Sequence, residues 1–207
     1  MNPEFLAFSI IILLFSVIVH EVMHGLLALK FGDHTAETAG RLTLNPIPHI
    51  DLIGTILLPA LLLLTSSPIL FGWAKPVPVN PLNFSNIRKG ELFVSAAGIL
   101  SNFALAITAA IIYHILAALP QTFPYILGAL LRFTVLINLM LGIFNLFPIP
   151  PLDGSKILLS QLPYHLAREY EKLEKYGWLI LLILLAGGFL QGILGSLVGI
   201  LSQILGL

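Results

Sequence analysis

The sequence predicts an all-α polytopic membrane protein with a three-helix core, and three observations carry that reading. Hydrophobic residues make up 57% of the 207 and charged residues only 10%. The mean hydropathy is +0.99. The apolar residues fall into runs of about 20, the length a helix needs to cross a bilayer. These runs lie near residues 5–29, 52–71, 92–119, 125–147 and 177–206, and the stretches between them hold nearly all the charge and much of the proline. Ten basic residues balance ten acidic ones with no basic run, which excludes nucleic acid as a partner. The absence of cysteine excludes disulfides and thiolate metal sites. A single membrane-embedded domain is expected over 1–207, with its core at about 5–160 and C-terminal membrane helices at about 176–206.

Each run has its own logic. The first, "MNPEFLAFSIIILLFSVIV", lacks the basic n-region and small-residue cleavage site of a signal peptide, so it reads as a retained helix. The second is interrupted by Gly54, Pro59, Thr65-Ser66-Ser67 and Pro68, breakers that suit a segment that enters and returns rather than one that spans. "FGWAKPVPVNP" alternates apolar residues with proline, as a short extended edge strand would; a proline-rich loop is the other reading. The third and fourth runs read as plain spans. The last contains Gly187-Gly188 and then Gln191, Ser196 and Gln203, which fits either a span followed by an interfacial helix or two short helices.

Inside the first run lies "HEVMH", residues 20–24. On a helix His20 and His24 are about 40° apart, one turn above each other, with Glu21 beside them. Two imidazoles at i and i+4 supply two ligands to zinc, and a neighbouring glutamate can take a proton from a metal-bound water. A third protein ligand is then required. Of the three aspartates, at 33, 51 and 153, the last stands in "NLFPIPPLDGSK", where Pro148, Pro150 and Pro151 stop the helix and free the backbone to turn inward. A Pro-Asp-Gly turn at a membrane surface is the plain alternative for that stretch. His34, His49, His114 and His165 read as surface or interfacial residues. Ser95, Ser101 and Ser155 read as packing or turn residues.

"HEVMH" together with "NLFPIPPLDG" resembles the site-2 protease family of intramembrane zinc metalloproteases, whose motifs are H-E-x-x-H and N-x-x-P-x-P-x-x-D-G. "AAGILSN" at 96–102 is similar to the family's A-G-P-x-x-N helix, with Ile99 in place of the proline, and the short loops leave no room for a PDZ-like insertion, as in a compact prokaryotic branch. The resemblance covers roughly residues 15–160. It implies a catalytic core that binds one Zn2+ per chain through His20, His24 and Asp153, with Glu21 as general base. It also implies that Asn102 and Asn145 face the site and assist substrate or transition-state binding; helix-to-helix glue is the other reading of each asparagine. The partners implied are a transmembrane protein substrate and the lipid bilayer, with room for a homo-oligomer. The competing functions are a membrane metal transporter and a non-catalytic zinc-binding scaffold, and neither gives Glu21 as clear a task.

Ligands from the first and fourth runs meet at one depth only if those helices are parallel and the third is antiparallel, which forbids the second run from crossing once. With that topology Lys30, Arg41, Lys75, Arg88, Lys89, Lys156, Arg168, Lys172 and Lys175 share one side, while "MNPEF" and "LPQTFP" carry no basic residue. That asymmetry puts the site of a multi-pass membrane protein toward the cytoplasmic face, and the resemblance to a compact prokaryotic branch implies that the membrane is a prokaryotic plasma membrane. Arg132 is left as a lone charge within a span.

Overall fold

Three of the apolar runs form single helices because nothing inside them interrupts the backbone ladder: α1 (Pro3–Lys30), α4 (Ile87–Ala118) and α5 (Tyr125–Leu146). The computed structural model describes residues 3–65, 72–119 and 124–207. All three helices are long and apolar enough to cross a membrane. Asn86 caps the start of α4, its side-chain oxygen accepting from Lys89 N at 3.0 Å. Between the long helices stand two short ones, α2 (Thr35–Thr38) and α3 (Leu58–Leu64), and after them come α6 (Asp153–Gln161), α7 (Tyr164–Glu171), α8 (Gly177–Ala186) and α9 (Phe189–Ile204).

Helix α4 is the centre of the bundle, packed against α1, α5 and α6. Its face toward α5 is lined by Ala106, Ala109 and Ala110, which meet Val135, Leu139 and Ile143 of α5, with Leu194 of α9 closing the cluster. Small side chains there let the helix axes approach, the usual basis of helix association where lipid removes the hydrophobic drive.

The second apolar run doubles back. Asp51 caps a π-helical turn, Leu52–Leu57, by accepting from Ile53 N and Gly54 N at 3.0 and 2.7 Å, and α3 follows. The returning chain lies beside the entering one: Trp73 N donates to Gly54 O at 3.1 Å and the Thr55 hydroxyl to Trp73 O at 2.8 Å. Of the breakers expected in this run, Ser66, Ser67 and Pro68 lie outside the described residues. The ends on either side of the excursion are tied together, Ser85 N to Phe31 O at 2.8 Å. The end of α1 and the start of α4 therefore share one end of the bundle, as parallel α1 and α5 require.

Residues 72–80, expected as an edge strand, run without helix, and no strand occurs among the described residues. Pro76 and Pro78 remove two backbone donors, and others bond acceptors scattered over different elements: Lys75 N bonds His49 O at 2.9 Å and Val77 N bonds a Glu21 carboxylate oxygen at 2.7 Å. The last run is two helices, α8 and α9, with a bend of 74° at Gly187-Gly188. His49 departs from its expected surface position. It is fully buried, with Nε2 on Thr43 O at 2.9 Å, because the 43–49 loop folds over it. Arg132, exposed on α5, has a partner in Tyr113 of α4: its guanidinium lies 4.9 Å from the ring centroid and donates to the hydroxyl.

Asp33 holds the loop end together. It is fully buried and accepts from Thr35 N at 3.1 Å, from the Thr35 hydroxyl, from Asn83 Nδ2 at 2.8 Å and from Asn80 N at 2.7 Å. Burial pushes its carboxyl up, but the bonds from Thr35, Asn80 and Asn83 outweigh that and hold it below the usual carboxylate range. Asp33→Ala should therefore cost about 2 kcal/mol by leaving the donors of Thr35, Asn80 and Asn83 without their shared acceptor, read as a lower melting temperature of the detergent-solubilised protein. A depressed folded-state value means the stabilisation is present above the unfolded carboxylate value of about 4 and is lost as pH falls through the folded one. The gap between natural chain and variant should narrow on acidification; a gap constant from pH 7 to pH 3 would contradict the assignment.

Candidate metal centre

Two elements deliver the candidate ligands. On α1, the i, i+4 spacing stacks His20 and His24 on the face turned toward α4, both buried. After α5, the turn through Pro148, Pro150 and Pro151 ends in Asp153, the first residue of α6. Gly154 permits this entry, because a Cβ there would stand 2.2 Å from Leu146 O, inside the carbonyl end of α5.

The three ligand atoms form a near-equilateral triangle. His20 Nε2 and His24 Nε2 are 3.0 Å apart, and Asp153 Oδ2 is 3.1 Å from the first and 3.2 Å from the second. Ligands about 2.0–2.1 Å from a tetrahedral zinc are about 3.3 Å from one another, so the triangle is close to metal geometry. The hydrogen-bond partners behind the two rings bear on the same geometry. His24 Nδ1 is 2.7 Å from Val94 O, which can only accept, and His20 Nδ1 is 2.7 Å from Asn102 Oδ1. With each neutral imidazole's one hydrogen committed there, both Nε2 lone pairs point inward. Asp153 Oδ2 is buried with no hydrogen-bond partner. Two neutral imidazoles presenting Nε2 lone pairs and a carboxylate oxygen at these separations repel one another, and a cation among them removes that repulsion. The other two aspartates are spent elsewhere, Asp33 on the loop tie and Asp51 on a helix cap. His20, His24 and Asp153 are the one such group of potential metal ligands among the described residues. Their donor set of two imidazoles and a carboxylate suits zinc and leaves a fourth position open.

The triangle sits at the inner end of a cavity of about 650 Å³, which Glu21 and Asn145 also line. Its outer part is bordered by Glu91, Lys156, Glu171 and Glu174, so the route to the ligands is wet. One Glu21 carboxylate oxygen, Oε2, holds Val77 N–H at 2.7 Å. Asn145 gives one amide hydrogen to Leu141 O at 3.0 Å. Asn102 takes a place different from the one expected. It is fully buried, closes on His20 rather than on the cavity, and sits behind the ligand because its face of α4 points into the helix interface. Ser101 and Ser155 bond the carbonyls of Gly98 and Leu152 at 2.7 and 2.6 Å, as packing and turn residues do. The contacts from Val77 N–H and Val94 O escape sequence reasoning, since backbone groups leave no residue-type signature.

Comparison with known proteins agrees with this chemistry. The model of peptidase family M50 matches residues 117–188, which include Asp153 but not the histidines. The chain is 38% identical to YwhC of Bacillus subtilis, provisionally named a zinc metalloprotease, over 86% of the chain and 79% of that protein. It is 31% identical to Rip2 of Mycobacterium tuberculosis over 86% of the chain and 66% of Rip2, and 28% identical to Rip2 of Mycolicibacterium smegmatis over 83% and 64%. Both of these bear the same provisional name, and the chain spans just under two thirds of their length. No solved structure matches the chain.

Helix α4 passes so close to the imidazoles that a Cβ on Gly98 would lie 2.5 Å from His24 and 2.6 Å from His20. Gly98→Ala should therefore displace both rings and weaken zinc binding about tenfold or more, measured by chelator competition on the purified chain. Unchanged affinity in a folded Gly98→Ala protein would mean these rings do not hold the metal.

Proposed function

The chain is a zinc metalloprotease of peptidase family M50, built as a multi-pass membrane protein, and from that premise we propose that it hydrolyses peptide bonds within or near transmembrane segments of other membrane proteins. The observation that carries this reading is the placing of the His20, His24 and Asp153 lone pairs and the Glu21 carboxylate in one cavity that reaches from the helix bundle to a charged rim. In this reading residues 1–207 act as one membrane-embedded domain.

His20, His24 and Asp153 hold the zinc. When bound, zinc supplies Lewis acidity toward a scissile carbonyl and lowers the pKa of a water. Glu21 is the general base: it receives the proton that water gives up on attacking the carbonyl carbon, and returns it to the departing nitrogen as the C–N bond breaks. Val77 N–H fixes the carboxylate through Oε2; Oε1, with no bond to the described residues, is free to take the proton. Asn145, with only one amide hydrogen taken up by Leu141 O, offers its amide to the substrate backbone or the developing oxyanion. No side-chain nucleophile is needed. The substrate must be unwound to react, because a helix hides its peptide groups in its own hydrogen bonds. The segment 72–80 lies at the cavity through Pro76, Val77 and Val79 and is the surface along which an unwound strand would lie.

Nine basic residues are borne by elements tied to one end of the bundle, among them Arg88, whose guanidinium donates to Leu162 O at 2.6 Å. The positive-inside tendency makes that end cytoplasmic, and the bacterial sources of the relatives support a prokaryotic plasma membrane as the location.

The direct test is cleavage of a panel of single-span membrane proteins with and without a zinc chelator. The Glu21→Gln chain should bind zinc with unchanged affinity yet lose cleavage by at least about a thousandfold, since the amide cannot accept the proton. Activity retained in that variant would remove Glu21 from the mechanism, and zinc uptake into vesicles without cleavage would favour a transporter. For orientation, Glu37→Cys and Leu82→Cys, both at exposed positions, should each react with an impermeant maleimide only from the cytoplasmic face. Labelling of the two from opposite faces would sink the topology.

A further inference from the structure

Behind His20 the three long helices are joined by buried polar groups that the hydrolytic chemistry does not use. Asn102 of α4 and Asn138 of α5 are fully buried, and Ser16 of α1 is 1% exposed. Nothing in the sequence motifs draws attention to Ser16 or Asn138; the only signal is an amide within an apolar span.

The bonds among these residues can run in one sense only, because main-chain carbonyls accept and never donate. Ile12 O takes the Ser16 hydroxyl hydrogen at 2.8 Å, so Ser16 Oγ meets Asn138 with a lone pair and accepts from its Nδ2 at 2.9 Å. Thr134 O, also 2.9 Å from Asn138 Nδ2, fixes that amide the same way round. Asn138 Oδ1 therefore faces α4 and accepts from Asn102 Nδ2 at 3.0 Å, a donor that also lies 3.5 Å from Ser16 O. The Asn102 carbonyl is thereby turned to His20, and Nδ1, 2.7 Å away, must carry the ring's hydrogen. The lone pair is left on Nε2, facing His24 and Asp153.

We propose that Asn138 and Ser16 are positioning residues of the metal centre: by fixing the polarity of the Asn102 amide from α5 and α1, they hold His20 in the one tautomer that can ligate. With the Asn102 amide reversed, an N–H would face Nδ1, the ring hydrogen would move to Nε2, and His20 would present a donor where the metal needs a lone pair. Reversal would also set two carbonyl oxygens, those of Asn102 and Asn138, against each other. The network lies one residue behind the ligand, so it acts on affinity and tautomer, not on substrate. The inference rests on His20 being a zinc ligand.

The experiment compares Asn138→Leu in the natural chain and in an Asn102→Asp background, using the purified full-length protein. Aspartate at 102 has oxygen on both sides and accepts from Nδ1 whichever way it turns, so it no longer needs Asn138 to orient it. Asn138→Leu should weaken zinc binding about tenfold in the natural background and should not weaken it beside Asn102→Asp, where it removes an amide oxygen set against the carboxylate. Equal loss in both backgrounds, the mark of a merely structural contact, would overturn the proposal, as would no loss in either. Nitrogen-15 shifts of the zinc-free histidines give a second readout that does not depend on Asn102→Asp folding. Asn138→Leu should bring a new His20 population protonated at Nε2, and a spectrum identical to the natural chain's would also overturn the proposal. His20→Ala separates the two levels: unaltered zinc affinity in that variant denies the ligand assignment itself, independently of Asn138.

Discussion

Three lone pairs within about 3 Å of one another are the constraint on which the architecture depends. His20, His24 and Asp153 come from segments more than a hundred residues apart, and bringing them to one depth fixes the direction of the helices. Helices α1 and α5 run in parallel and α4 runs between them in the opposite sense. The second apolar run must then double back, and it does so with Asp51 capping its entry and Trp73 returning beside Gly54. Asp33 closes the excursion by binding Asn80 and Asn83, so the loop that begins after α1 ends beside it.

The same constraint explains where polarity is tolerated. In a bundle held by small residues and dispersion, a buried amide or imidazole is stable only if its hydrogen bonds are complete. The described groups around His20 meet that requirement almost entirely with fixed acceptors, and the one buried carboxylate oxygen of the cluster left over, Asp153 Oδ2, is the one aimed at the other ligands. The Glu21 carboxylate is held from the opposite side by the backbone of residue 77. Helix α1 thus carries the candidate ligands on a face closed by α4 and the proposed base on a face closed by the 72–80 segment, the surface proposed to receive substrate.

What could be read in the sequence was whatever a fixed spacing encodes. The i, i+4 histidines, the apolar run lengths and the proline turn before Asp153 are local patterns whose geometry follows from helix periodicity and proline chemistry, and the all-α polytopic fold with its doubled-back segment followed from them. What could not be read depends on how helices rotate against one another. Asn102 belongs to a recognisable stretch, yet whether its amide faces the cavity or the back of His20 is decided by the rotation of α4. Asn138 looks no different from Asn145 in sequence, although one is hydrogen-bonded to Asn102 behind His20 and the other lines the cavity. His49 is polar in a proline-rich loop, and only the fold of residues 43–49 buries it. Arg132 finds Tyr113 across two helices at a spacing no single-helix pattern encodes.

The central claim is that one metal is held by the two imidazoles of α1 and the carboxylate that opens α6. X-ray absorption at the zinc edge on the purified, zinc-loaded chain tests it most directly. The account predicts one zinc per chain, four nitrogen or oxygen neighbours at about 2.0–2.1 Å, no sulfur, and the outer-shell scattering of two imidazole rings, falling to one ring in His24→Ala. A site with no imidazole scattering, or with two rings still present in His24→Ala, would contradict it.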